Sequence, residues 1–460
     1  MKKIAIIIFD YWLASSLLLI SSATLLAREG YDVHIFIDDF IYNQSKAEFE
    51  EANIRVHPVK IGGDPRENIT RWDAFVANLV AQRQDKKRSG LGSALLDVGG
   101  SALLDVGKVL YTTQCAMQSI HYAFIARAVA IPSTKTIKKY TRRFFPYIVE
   151  FYEKIADHID DDFVCLIGVE PFGLIAATLA ADASKKEKSV PVIYYNQELL
   201  LERECSTFDR IVKALERTCN QMCYLTIVTG KRRAELLRAD NNLESESIVC
   251  VPVAGLGKAY RAKGNLLQEM CGIPQEKKVL LYAGNIEPWA MCLEMAEAAQ
   301  NWRDDFVLVL HSWQEDLVNH PYITQIRRLT QTRKVYLSLK QVDWQKMPEL
   351  VSSADIGLAL YQNLGEARSE IGHSSNKLAQ YLRMGLPVIT TDYPSLRDVI
   401  DRYQCGACGS GPDSIEPLAE MIFDDYERYR ANAFRCYEND YDFSKHFRKV
   451  IERIKEIETY

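Results

Sequence analysis

Short apolar runs alternate with helix-like segments along most of this chain, and this alternation constrains its fold more than any other feature. Most runs are continuously apolar, as strands are when helices cover both faces of a parallel sheet. Two such sheets, joined near residues 254–264, predict an α/β protein with two facing doubly wound domains. The predicted strands are 3–9, 32–37, 163–167, 190–195, 225–229 and 248–252 in the first half, and 278–283, 306–310, 334–339, 355–360 and 386–389 in the second.

The N-terminus has two interpretations. Lys2 and Lys3 precede a stretch, Ile4–Ala27, whose only charge is Asp10, and such a stretch resembles a signal anchor. Asp10 and four serines interrupt the apolar run, which favours a strand, a loop and a helix that ends near Gly30. We therefore predict a strand–helix–strand opening and no transmembrane segment.

The segment Ser374–Thr390 reads as a polar loop, a capped helix, a glycine stop and a buried strand. Ser374, Ser375 and Asn376 are residue types that accept hydrogen bonds from the free N–H groups at a helix start. A helix start that keeps some of these groups free, with Lys377 in its first turn, can hold a diphosphate. An ordinary capped helix of an α/β domain is the alternative interpretation of the same residues.

Composition limits the class of partner and the compartment. The 460 residues are enough for two or three domains, and a net charge of −5 gives no reason to expect general nucleic-acid binding. Eleven cysteines include one C-x-x-C pair, Cys405 and Cys408, with no second pair at zinc-like spacing nearby. An odd number of scattered thiols suits a reducing cytosol, so we predict a cytoplasmic protein without a metal site.

The segment Ser374–Thr390 closely resembles the nucleotide-sugar site of the retaining glycosyltransferases of family 4, which have the GT-B fold. In that family the corresponding sequence motif is close to PNKLFEYLAAGLPVI. The resemblance continues on both sides, in Ser353–Tyr361 and in Thr391–Ile400. Three segments in the first half resemble the family's HDPFPLLAALLA, VYDAHELL and AVITVSEALAELL, and they are Val169–Ala180, Ile193–Leu200 and Leu225–Leu237.

This resemblance implies two facing Rossmann-like domains with a nucleotide sugar in the cleft between them. It implies an acceptor-side domain at 1–253, a nucleotide-sugar domain at 265–435, and a C-terminal helix at 436–460 that crosses back to the first domain. The donor-binding residues are then Gly284, His373, Ser374, Ser375, Asn376, Lys377 and Gln380. The carboxylates near sugar or acceptor are Glu170 and Glu198 from the first domain, and Glu366 or Glu370 from the second.

Several positions depart from the family pattern. Gln380 stands where the family has the second Glu of a Glu-x7-Glu pair, and Val169 and Gln197 stand where it has histidines. The loop Gly284–Met291 contains no cation, although the family tends to place Arg and Lys there against the diphosphate. Losing one charge-assisted contact costs about two to three powers of ten in rate. The departures are therefore compatible with a slow enzyme, with an enzyme whose site residues are arranged differently, and with a binding protein.

Two further segments carry alternative interpretations. Lys135–Tyr147 mixes five basic residues with four aromatic ones, which fits either contact with anionic lipid or a solvated basic helix followed by a packed one. The eight residues of Gly92–Gly99 are repeated at once in Gly100–Gly107. This duplication fits a slippage insertion in a permissive surface loop, or a flexible loop that faces acceptor or lipid.

We predict a glycosyltransferase that moves a sugar from a nucleoside diphosphate sugar to a glycan, a lipid-linked glycan or a small molecule, with retention. Its location is predicted to be cytoplasmic, with peripheral contact at the inner membrane face through Lys135–Tyr147. Two alternatives come from other classes. One is a non-catalytic glycosyltransferase-like subunit that binds nucleotide or a partner enzyme, and the other is a GT-B nucleotide-sugar epimerase.

Overall fold

The structure, a computed structural model, describes residues 1–13, 16–44, 46–62, 132–184, 189–314, 318, 320–363 and 365–459. Within these ranges the strands form two sheets in which every pairing is parallel. The first sheet contains β1 Lys3–Ile8, β2 Asp32–Asp38, β3 Ile54–Val59, β4 Phe163–Val169, β5 Val192–Asn196, β6 Leu225–Val228 and β7 Ile248–Cys250. The second contains β8 Lys278–Ala283, β9 Phe306–Ser312, β10 Val335–Leu339, β11 Ile356–Ala359, β12 Val388–Thr391 and β13 Gly406–Gly409.

The strand order reverses once in each sheet. The first sheet runs β3-β2-β1-β4-β5-β6-β7 and the second runs β10-β9-β8-β11-β12-β13. The reversals lie between β1 and β4 and between β8 and β11, where the helices that follow neighbouring strands lie on opposite faces of the sheet. Ligands of doubly wound sheets bind outside the carboxyl ends of the strands at such points.

Helices follow most strands and cover the sheets. In the described residues they are α1 Leu17–Arg28, α2 Asp39–Gln44, α3 Thr134–Phe144, α4 Pro146–Ala156, α5 Glu170–Ala183, α6 Thr207–Asn220, α7 Lys231–Asn241, α8 Leu266–Cys271, α9 Cys292–Ala298, α10 Pro321–Leu329, α11 Met347–Ser352, α12 Glu366–Ser369, α13 Asn376–Arg383, α14 Pro394–Tyr403, α15 Ile415–Asp424, α16 Tyr426–Cys436 and α17 Phe443–Ile457.

The last helix returns to the first sheet, as the resemblance to GT-B proteins implied. Its apolar face is buried, with Phe447, Val450 and Ile454 fully inaccessible, and it contacts α1, β4 and β7. Ion pairs at the surface join Lys455 to Glu29 and tie the chain's two ends together. The predicted fold class is thus confirmed. The predicted domain boundaries stay predictions, although the first sheet ends at Cys250 and the second begins at Lys278.

The N-terminal apolar stretch is divided between β1, a loop and α1, so the strand–helix–strand interpretation is confirmed. In the part of the chain that the structure describes, no helix is long and apolar enough to cross a membrane. The duplicated segment, residues 92–107, lies outside the described residues.

The predicted strands are confirmed to within two residues at either end, but two observed strands were not predicted. Strand β3 lies at a sheet edge, has one buried residue among six and contains Pro58, so its apolar signal is weak. Strand β13 contains two glycines among four residues. The sheet requires Gly406, because a Cβ there would stand 2.0 Å from the carbonyl oxygen of Val388.

Two glycines in the second domain allow a matched test of how tightly neighbouring atoms pack against a helix end. Gly385, which follows the end of α13, and Gly272, which follows α8, have φ values of +70° and +67°. A Cβ at Gly385 would lie 2.3 Å from the Phe434 ring, whereas a Cβ at Gly272 would meet nothing within 4 Å. We expect Gly272→Ala to lower the free energy of unfolding by about 1 kcal/mol and Gly385→Ala by about 2–4 kcal/mol. Urea denaturation checks this, and equal losses in the two variants would contradict it.

Candidate functional site

The carboxyl ends of the first sheet bring together the predicted first-domain carboxylates. Glu170 begins α5 directly after β4, is 5% exposed and has φ of +57°, a value that side chains rarely adopt. Its Oε1 accepts hydrogen bonds from the N–H groups of Gln197 at 2.7 Å and Glu198 at 3.1 Å. Burial and the neighbouring charge of Glu198 raise the pKa of Glu170 well above its usual value, although the two N–H donors oppose this rise. Glu170 therefore fixes the loop that carries Glu198.

The two positions that match the family's histidines lie inside this edge. Val169 is fully buried in the core. Gln197 is 4% exposed and its Oε1 accepts a hydrogen bond from the Ser16 hydroxyl at 3.1 Å. Among the described residues its Nε2 finds no acceptor. The Gln197 amide is a neutral polar group with its oxygen bonded and its nitrogen free. A histidine at this position could instead gain or lose a proton.

Helix α13 begins at Asn376, within the segment Ser374–Lys377 where a capped helix start was predicted. The Ser375 hydroxyl accepts from the N–H of Leu378 at 3.2 Å and contacts the Tyr361 hydroxyl at 2.7 Å, so this side chain is used inside the protein. The N–H groups of Asn376 and Lys377 have no acceptor within the described ranges. The helix start therefore keeps two donors available, and its dipole favours an anion there.

Three aromatic rings enclose the ammonium of Lys377. Its Nζ lies 4.8 Å from the ring centre of Tyr282, 5.3 Å from that of Trp289 and 5.1 Å from that of Tyr361. The rings of Trp289 and Tyr361 stack 3° from parallel at 6.1 Å. No carboxylate of the described chain pairs with Lys377, and burial lowers its pKa to about 8. We call Tyr282, Trp289 and Tyr361 the aromatic cage.

Gly284 lies beside the ammonium of Lys377. It follows β8 directly, and a Cβ at this position would lie 3.3 Å from Nζ of Lys377. The loop that begins at Gly284 lacks the cations of the family but contributes Trp289 instead. Sequence reasoning did not identify the cage. The available signal was the position of its three aromatic residues, at the ends of β8 and β11 and in the loop between β8 and α9.

The remaining donor-side residues lie beside α13. The Gln380 Nε2 donates to Asn376 Oδ1 at 3.4 Å, one helical turn away, and both side chains are half-exposed. The Ser374 hydroxyl donates to the carbonyl oxygen of Glu370 at 3.4 Å. The ring of His373 stacks on that of Tyr441 at 5.2 Å and is half-buried. The structure thus gathers most of the predicted donor-binding residues around the start of one helix.

Residues 365–374, the bridging segment, join the second domain to the first. Glu366 pairs with Arg203 of the first domain, with Nε of Arg203 at 2.9 Å from Oε2. The carboxylate of Glu204 accepts from the N–H groups of Glu366 and Ala367 at the start of α12. Glu370 is more enclosed, and burial raises its pKa. Of the two predicted second-domain carboxylates, Glu366 is therefore engaged between the domains and Glu370 lies deeper.

Arg233, which sequence reasoning did not single out, reaches across the same boundary. It lies in the first turn of α7 and is 6% exposed. Its Nε donates to the carbonyl oxygen of Glu370 at 2.8 Å and its Nη1 donates to that of Gln197. The available signal was the run of three basic residues directly after β6 and Gly230.

Within the described ranges there is no group of three or more His, Cys, Asp or Glu side chains that could hold a metal ion.

The sequence matches no protein-family model and no curated protein. The fold is similar to Anabaena HepE in complex with UDP and glucose, at a TM-score of 0.62 and 11% identity over 99% of this chain and 100% of that one. It is similar to a glycosyltransferase from Rickettsia africae (TM-score 0.61, 11% identity, 99% and 98% covered). It is also similar to WaaG, a glycosyltransferase involved in lipopolysaccharide biosynthesis (TM-score 0.56, 12% identity, 99% of both chains covered). At such identities the likeness establishes the GT-B fold.

The enclosure of Lys377 can be tested without any ligand. An amine-reactive reagent modifies only the neutral amine, so the labelling rate of Lys377, followed by mass spectrometry, should rise with a midpoint near pH 8. Trp289→Leu admits water to the cage and should move the midpoint toward the ordinary lysine value of about 10.4. Trp313→Leu, which removes a half-exposed indole after β9, is the control and should leave the midpoint unchanged. A wild-type midpoint above about 10 would show that the ammonium is hydrated.

Proposed function

We propose that this protein is a glycosyltransferase that moves a sugar from a nucleoside diphosphate sugar to an acceptor. The observation that carries the proposal is the ammonium of Lys377, which lies without a carboxylate partner at a helix start with two free N–H groups. A half-buried cation without a counter-ion is costly. An anionic ligand at this point would therefore be stabilised by charge, by hydrogen bonds and by the helix dipole together.

In this proposal the diphosphate is bound by the N–H groups of Asn376 and Lys377, the ammonium of Lys377 and the Ser374 hydroxyl. The Ser374 hydroxyl would give up its 3.4 Å bond to the carbonyl oxygen of Glu370 and donate to a phosphate oxygen instead. Ser375 holds the helix start in place through its bonds to Leu378 and Tyr361. Gly284 leaves room beside the ammonium because it has no side chain. These groups would stabilise the negative charge that develops on the diphosphate as its bond to the anomeric carbon stretches.

The sugar and the acceptor would lie between the two sheet edges. Gln380 is proposed to bind the ribose and Glu370 to lie near the sugar, in preference to Glu366, which is paired with Arg203. Glu198 and Glu170 are proposed to orient the acceptor or the sugar from the first domain, and His373 to border the donor. Retention follows from the family resemblance alone and is part of the proposal.

The nucleoside of the donor is proposed to be uridine, since HepE, a neighbour in fold, has been solved in complex with UDP. The acceptor class stays that of a glycan, a lipid-linked glycan or a small molecule. Two alternatives have distinct outcomes. A non-catalytic subunit would bind nucleotide without turnover, and an epimerase would convert the sugar nucleotide with no acceptor present.

The first experiment is a thermal-shift panel with UDP-, GDP-, ADP- and CDP-sugars, with and without magnesium, followed by assays of nucleotide release. A ligand at 100 times its dissociation constant stabilises the folded state by about 2.7 kcal/mol. We expect UDP-sugars to give the largest shift. Absence of a shift with every nucleotide sugar would contradict the proposed function.

The site is located by two variants of the same helix. Lys377→Ala removes the enclosed cation and should lower turnover by about 10²–10³ and abolish the thermal shift at the same ligand concentration. Arg383→Ala removes an equal charge from the last turn of α13, where its Nε bonds the carbonyl of Lys258, and should preserve both. Equal losses in the two variants would place the nucleotide elsewhere.

The proposed membrane contact has its own test. Lys135, Lys139, Arg142 and Arg143 are exposed on α3, while Ile137 and Tyr140 on the same helix are buried in the core. If this basic face rests on anionic lipid, the protein should co-sediment with phosphatidylglycerol vesicles at low salt. Lys139→Glu/Arg143→Glu should abolish this binding, and Arg448→Glu/Lys449→Glu on α17 should not. Equal binding by all three proteins would contradict contact through α3.

A further inference from the structure

We propose that Arg233 of the first domain binds the diphosphate of the donor, so that the donor site is completed across the domain boundary. The inference rests on the proposed function and deepens it. It assigns the second positive charge of the site to a residue outside the second domain, in place of the cations that the loop Gly284–Met291 lacks.

Shared contacts place Arg233 next to the start of α13. The carbonyl oxygen of Glu370 accepts one hydrogen bond from Nε of Arg233 at 2.8 Å and another from the Ser374 hydroxyl at 3.4 Å. Ser374 is two residues before the first residue of α13. The start of α7 also abuts the bridging segment, since a Cβ at Gly230 would lie 3.0 Å from Cβ of His373.

The guanidinium is buried, yet its charge has no direct counter-ion. Its two hydrogen bonds go to neutral carbonyls, those of Glu370 and Gln197. Burial lowers the pKa of Arg233, while the charges of Glu198, Glu170 and Glu370 at longer range oppose this and favour the charged form. No carboxylate of the described residues forms an ion pair with it, and none of these residues accepts a hydrogen bond from its Nη2. An anion at the cleft would therefore meet an oriented donor whose desolvation has already occurred on folding.

The chemistry of the ligand matches a guanidinium. A nucleoside diphosphate carries more negative charge than the single ammonium of Lys377 can balance, and a planar fork of N–H donors suits phosphate oxygens. When the bond between the anomeric carbon and the phosphate oxygen breaks, the electron pair stays on that oxygen. The acceptor oxygen forms the new bond and its proton is released to water. Arg233 would stabilise the oxygen that receives the electron pair.

Binding of UDP, UMP and uridine, measured by isothermal titration calorimetry, tests this assignment. Loss of one hydrogen bond to a charged group costs about 10- to 100-fold in affinity. We expect Arg233→Gln to weaken the binding of UDP by that factor. The binding of uridine should be unchanged, because uridine has no phosphate. Arg232→Gln is the matched control. Arg232 precedes Arg233, and its Nε lies 2.6 Å from Asp398 Oδ2 and 3.9 Å from Glu370 Oε2 across the same boundary. Because none of the three ligands carries the sugar that is proposed to lie near Glu370, Arg232→Gln should bind all three as the wild type does.

Arg233→Lys serves where Arg233→Gln does not fold, as judged by thermal unfolding without ligand. It keeps the charge but loses the planar fork, so UDP should weaken while uridine binding is retained. Equal weakening of UDP and uridine in either variant would show that Arg233 only supports the domain interface and would overturn the inference. If both variants bind UDP with the affinity of the wild type, the inference about Arg233 is overturned and the proposed function stands. Absence of UDP binding by the wild type would overturn both.

Discussion

Parallel strands of one sheet all end at the same edge, and the site of this protein depends on that constraint. In each sheet the order reverses between two central strands, β1 and β4 in the first and β8 and β11 in the second. The loops at these reversals diverge to opposite faces and leave a crevice. Glu170 follows β4 and Gly284 follows β8 directly, so both candidate edges of the cleft come from the positions at which this topology opens.

The bridging segment turns two such edges into one site. Its residues contact the first domain through carbonyls, N–H groups and two carboxylates, those of Glu366 and Glu370. It leads without a break into the start of α13. Tyr441 adds support, because its hydroxyl donates to the carbonyl of Gly372 at 2.7 Å. Any movement between the domains must therefore displace the residues next to the helix start. This coupling is the physical reason why a first-domain arginine can belong to a second-domain site.

The aromatic cage shows how the chain differs from the family that it resembles. Where that family places cations in the loop after the first strand of the second domain, this chain places Trp289 over a single ammonium. Cation–π contacts stabilise a desolvated ammonium by about 2 kcal/mol, which offsets only part of the cost of burying it. A cation held in this way keeps its charge available, because no carboxylate neutralises it. The departure in the loop Gly284–Met291 thus places an aromatic ring beside Lys377 where the family has cations.

The sequence by itself determined the local elements: continuous apolar runs specified most strands, and Ser375, Asn376 and Gly385 specified the ends of α13. It also placed Lys377 at a helix start, since caps and periodicity act over a few residues. Only the tertiary structure decided that Tyr282, Trp289 and Tyr361 surround that lysine and that Arg233 meets Glu370. These residues are far apart in the chain, and no short-range pattern records which side chains packing brings together. Strands β3 and β13 escaped prediction for a related reason, because sheet pairing rather than local apolarity stabilises them.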